Sequence, residues 1–63
     1  MKTMTKKEIV AKLRTRHPEA KDIRKNIFGS WDVIVETDIE EINYGYGLVN
    51  GKIVFLGTIT SDL

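Results

Sequence analysis

Residues 42–59, Ile-Asn-Tyr-Gly-Tyr-Gly-Leu-Val-Asn-Gly-Lys-Ile-Val-Phe-Leu-Gly-Thr-Ile, decide the fold of this chain. Asn50-Gly51 separates two alternating runs, and a type I′ turn needs φ > 0 at both central residues, which Asn and Gly tolerate best. A turn at that point sets the pairing. Val49 faces Lys52, Leu48 faces Ile53, Gly47 faces Val54, Tyr46 faces Phe55, Gly45 faces Leu56, Tyr44 faces Gly57, Asn43 faces Thr58 and Ile42 faces Ile59. One face of this hairpin then holds Ile42, Tyr44, Tyr46, Leu48, Ile53, Phe55 and Ile59. The other face sets Gly45 and Gly47 across from Leu56 and Val54.

Upstream, Trp31-Asp32-Val33-Ile34-Val35-Glu36-Thr37 is rich in β-branched and aromatic residues and reads as a strand over 31–37. If Asp38-Ile39-Glu40-Glu41 forms a four-residue hairpin loop, Thr37 faces Ile42, Val35 faces Tyr44, Val33 faces Tyr46 and Trp31 faces Leu48. Trp31, Val33 and Val35 then join the apolar face of the next two strands, 42–49 and 52–59. A one-residue slip would scatter these side chains to opposite sides, so their agreement across two turns argues for an antiparallel meander.

The N-terminal part has a different period. Thr5-Lys6-Lys7-Glu8 is a capping box, and Met4 and Ile9 stand at the spacing of a hydrophobic staple. Ile9, Val10, Leu13 and His17 lie along one helical stripe, and Pro18 biases His17 out of the helical region. A helix over 5–17 follows. Residues 19–30 admit two readings. Ala20, Ile23 and Ile27 suit a second short helix, whereas Ile23, Lys25 and Ile27 alternate as a strand (23–28) leading into the Gly29-Ser30 turn. The strand is favoured, because a strand follows the turn at once. The expected fold is α+β, one N-terminal helix packed on one face of a three- to four-stranded antiparallel β-meander, with 60–63 as a tail.

Sixty-three residues make one small domain near the lower size limit for an unstapled core. No cysteine is present, which excludes a disulfide framework and thiolate metal sites. No run nears the roughly 18 apolar residues of a membrane span, and no apolar run of the signal-peptide kind follows the basic N-terminus. The expectation is a soluble cytoplasmic protein that does not enter a membrane.

Net charge is +1, but unevenly spread. Residues 1–26 hold nine basic and three acidic side chains, a balance of +6, and residues 27–63 hold one basic and six acidic, a balance of −5. A basic half points toward a polyanion. The plainer reading is a helix and a sheet that attract one another.

Chemistry is sparse. His17 is the sole histidine and lies on the apolar edge of the helix, where a structural role is commoner than catalysis. Ser30 lacks the G-x-S-x-G elbow, and Asp38, Glu40 and Glu41 lack the spacing of a calcium loop. Gly45 and Gly47 fall inside a strand with no helix following, so they are not a phosphate loop. Trp31, Tyr44, Tyr46 and Phe55 would suit base stacking, but this short chain needs them for its core. No catalytic, cofactor-binding or metal site is expected, and the chain reads as a non-enzyme.

Glycine inside a strand often marks close approach of another backbone or side chain. In the expected register Ile34, Gly45 and Leu56 line up, as do Asp32, Gly47 and Val54. The face away from the helix then carries a shallow groove with Ile34, Gly45, Gly47, Val54 and Leu56 as candidate contact residues. This points to a small interaction module that binds a protein partner or a second copy of itself. The alternative is a nucleic-acid binder that uses Lys6, Lys7, Lys12, Arg14, Arg16, Arg24 and Lys25.

Overall fold

The computed structural model describes residues 4–63. Helix α1 spans Lys6–Arg16, followed by strands β1 (Asp22–Lys25), β2 (Trp31–Glu36), β3 (Glu40–Val49) and β4 (Lys52–Asp62). The strands form one antiparallel sheet in the order β1-β2-β3-β4. The fold is therefore α+β, one helix and a four-stranded open meander.

The local signals explain the helix ends. The Thr5 hydroxyl accepts from the Glu8 N–H at 3.2 Å, and Glu8 Oε1 accepts from the Thr5 N–H at 3.2 Å. At the other end the His17 N–H reaches the Leu13 carbonyl at 2.9 Å, and Pro18 stops further propagation. Ile9 and Leu13 point from the helix into an apolar cluster with Ala20, Trp31, Val33, Val35 and Tyr46. Leu13 and Val33 have no exposed surface at all, which is worth about 1.5–3 kcal/mol for each side chain.

Residues 19–30 resolve in favour of the strand, but a shorter one than 23–28. Asp22–Lys25 pairs with Ile34–Trp31, and the chain then leaves the sheet. Asn26 causes the exit. Its Oδ1 accepts from the Phe28 and Ser30 N–H groups at 2.9 and 3.1 Å, and Gly29 adopts φ 83°. This Asx-type turn lifts Ile27 and Phe28 out of the alternating pattern.

Two registers differ from the sequence expectation. The β2–β3 connection is a two-residue turn at Asp38-Ile39, with the Thr37 N–H donating to the Glu40 carbonyl at 2.8 Å. The Thr37 hydroxyl tightens it by accepting from the Ile39 and Glu40 N–H groups at 3.4 and 3.1 Å. Trp31 therefore pairs with Tyr46, Val33 with Tyr44 and Val35 with Ile42. The slip is two residues, so every side chain keeps its expected face.

The β3–β4 register matches from Val49–Lys52 to Tyr46–Phe55, and Asn50 and Gly51 have φ 51° and 75° as the turn requires. Beyond that a bulge intervenes. Leu56 is the extra residue, Gly57 takes φ 154°, and Gly45 pairs with Gly57. One inserted residue reverses the alternation. Thr58 and Thr60 pair with the core-facing Tyr44 and Ile42, and Ile59 moves to the outer face opposite Asn43. The expected tail is strand as well, since β4 runs to Asp62 and the Leu63 N–H reaches the Ile39 carbonyl at 3.0 Å.

The molecule extends 43 × 20 × 16 Å. An eleven-residue helix is roughly 16 Å long, so it spans well under half of the long axis. No residue of β4 belongs to the buried cluster, and Ile53 is the one partly buried residue of that strand that packs against it.

Candidate protein-contact surface

β4 is the least covered element of the sheet. Nine of its eleven residues are exposed, the exceptions being Ile53 and Gly57. Leu56 is 58% exposed and Ile59 69%, and Val54 is exposed beside them on the outer face. Phe55, on the helix side, is 53% exposed although its ring packs edge-on against Tyr46 at 5.5 Å. The cause is geometric: β4 is an edge strand, and Val54, Leu56 and Ile59 lie on the face opposite the buried cluster.

On the outer face Asp32, Asn43, Gly45, Leu56, Gly57, Thr58 and Ile59 enclose a shallow hollow of about 310 Å³. Gly45 contributes its floor because it has no side chain; a Cβ there would meet the Gly57 carbonyl oxygen at 3.5 Å. Leu56 leans over Gly47, where a Cβ would come within 3.2 Å of Leu56 Cδ1. The glycines thus make room for the bulged leucine. Asn43 Oδ1 is buried without a hydrogen-bond partner, an acceptor whose unmade bond costs about 1–3 kcal/mol.

Of the five candidate contacts, Val54, Leu56, Gly45 and Gly47 stay together on this face. Ile34 does not serve. It is only 5% exposed, because the two-residue turn sets it opposite Asn43 on an inner strand, with Asp22 on its other side. Ile59 takes its place at the surface. The strand glycine Gly57 was the available signal for that exchange, since glycine inside a strand often marks a bulge.

The basic residues do not form one patch. Lys12 and Arg16 line a second hollow, of about 340 Å³, with Met4, Gly51, Lys52 and Ile53. Lys52 is thus an unforeseen member of that group. Arg14 donates to the Ala20 carbonyl, and Arg24 pairs with Asp22 at 3.3 Å. Arg24 and Lys25 lie on β1, at the opposite edge of the sheet, and Lys6 and Lys7 are exposed on the first turn of α1.

His17 is held in a structural network. Its Nε2 lies 2.6 Å from the Tyr46 hydroxyl, its ring stacks on Tyr44 at 4.5 Å, and Nδ1 is 3.6 Å from Glu19 Oε1. Tyr46 is buried, so this chain of contacts ties the end of the helix to the core. Among the described residues no group of three or more His, Cys, Asp or Glu side chains is placed to hold a metal ion. Nor is any helix among them long and apolar enough to cross a membrane.

The β1–β2 loop was not singled out from sequence. Ile27 is 93% exposed and Phe28 86%, both at the tip of the Asn26 turn. Comparison with protein-family models, curated proteins and solved structures finds no match to this chain.

Proposed function

We propose that this protein is a small non-catalytic interaction module, and that it engages a protein surface through the outer face of its sheet at β4. One observation carries this reading: Val54, Leu56 and Ile59 are exposed together beside a glycine-floored hollow. Single apolar residues on a surface need no explanation, but a contiguous group on one strand does. A solvated sheet face alternates to polar residues, as Asp32 and Glu36 do on β2. β4 departs from that rule. A partner donor that reaches Asn43 Oδ1 would also satisfy the acceptor left unmet in the isolated chain.

A photo-crosslinking residue in place of Leu56 tests this reading in cells that express the protein. The expected result is one discrete adduct that the second substitution Val54→Lys removes. The same probe at Lys7 should give none. Equal labelling from both positions would overturn it.

The hollow lined by Lys12, Arg16 and Lys52 supports a second reading, nucleic-acid binding through phosphate contacts. Three such contacts on duplex DNA predict a slope of about −2.7 in log affinity against log salt. Fluorescence anisotropy with single-stranded and duplex DNA checks it, and no binding at low ionic strength would dismiss it.

A further inference from the structure

We infer that the free edge of β4 pairs antiparallel with β4 of a second copy, so that two chains form one continuous eight-stranded sheet. This rests on the interaction-module reading and names its occupant.

The two edges of the sheet differ in kind. β1 is four residues long and three of them, Asp22, Arg24 and Lys25, are charged, as edge strands protected against pairing are. β4 is eleven residues long, and from Ile53 to Ser61 it carries neither a charge nor a proline. Such an edge offers a row of unpaired N–H and C=O groups to another strand.

Which groups are free follows from the ladder. The Leu63 N–H bonds Ile39, so by alternation Ser61 and Ile59 also face β3, and Thr60 and Thr58 face outward. Across the bulge, Lys52 closes the turn against Val49, which leaves Ile53 and Phe55 facing outward. The free edge therefore consists of two short ladders on either side of the Leu56-Gly57 bulge.

A two-fold axis through Thr58 matches these halves to each other. Phe55 then meets Thr60 of the second copy, and Ile53 meets Asp62. Both members of each pair have their side chains on the helix face, as an antiparallel ladder requires. The Leu56-Gly57 bulge of each chain then lies one position from the axis, opposite Ile59 of the other. On the outer face Leu56 of one chain comes beside Ile59 of the other, joining the two exposed groups into one buried cluster. The ends agree in charge: antiparallel pairing sets the Lys52 end of one strand beside the Asp62 end of its mate, twice over. A heterologous strand has no such built-in match.

Sedimentation equilibrium across a wide concentration range, combined with amide hydrogen exchange, tests the inference. The parent should be a reversible dimer. The Phe55, Thr58 and Thr60 amides should be protected when concentrated and exchange freely when dilute, while the Ile59 and Ser61 amides are protected in both. Thr60→Pro removes an outward donor without touching the internal ladder. It should weaken the dimer by roughly a hundredfold, about tenfold for each of the two symmetry-related bonds. Should that variant misfold, the exchange pattern of the parent decides alone. A parent that is monomeric throughout, or a dimer with unprotected Thr58 and Thr60 amides, overturns edge pairing. Neither result touches the Leu56 crosslink, which would still report a different protein on the same face.

Discussion

Replacing Gly51 by valine should cost more than its exposed position suggests. At φ 75° it occupies the left-handed region, where a β-branched residue is strained by about 1–3 kcal/mol. A Cβ at this site meets nothing within 4 Å, so the cost is backbone strain rather than a clash. A 63-residue domain has about 3–9 kcal/mol of stability to lose. A penalty of about 2 kcal/mol lowers Tm by roughly 8–16 °C in a domain of this size. Thermal melts followed by circular dichroism measure it directly, with Gly51→Asn as a control that tolerates φ > 0 and should fall much closer to the parent. If Gly51→Val melts with the parent, the type I′ turn is absent and the β3–β4 register built on it is wrong.

Leu13→Ala should cost about 2–5 kcal/mol, enough to leave much of the protein unfolded, and urea denaturation will show it. Leu56→Lys should change stability by less than about 0.5 kcal/mol because the side chain is exposed, yet abolish association in sedimentation runs. A variant that unfolds would instead make Leu56 part of the core. Lys21, 2.8 Å from Glu36 Oε2, has its pKa raised, chiefly by that hydrogen bond. A raised pKa means that its contribution is complete below the ordinary lysine pKa and disappears as pH rises through the folded value. The Tm difference between parent and Lys21→Met should therefore shrink at strongly alkaline pH, and a difference that grows there would contradict the pairing.

The helix, the Asn50-Gly51 hairpin and the core-facing residues of β2 and β3 were legible because each rests on a short-range signal. Thr5 and Glu8 cap each other within one turn of helix, and Asn-Gly sets its own φ values. What escaped depended on single side chains that bond their own backbone. Thr37 shortened one hairpin loop and Asn26 ended β1 early, and neither leaves a hydrophobic pattern to read. The bulge was harder still. Ile53, Phe55, Gly57 and Ile59 alternate faultlessly in sequence, so only the glycine hinted that Ile59 changes sides. Ile34 reads as a surface residue by alternation, but its burial is set by neighbours on two other strands.

Relaxation of methyl protons by a soluble paramagnetic chelate tests most directly whether β4 is covered in solution. In concentrated protein the methyls of Val54, Leu56 and Ile59 should be shielded and become accessible on dilution, while those of Ile27 and Ile39 stay accessible throughout. Equal relaxation of all five residues at every concentration would contradict a buried β4.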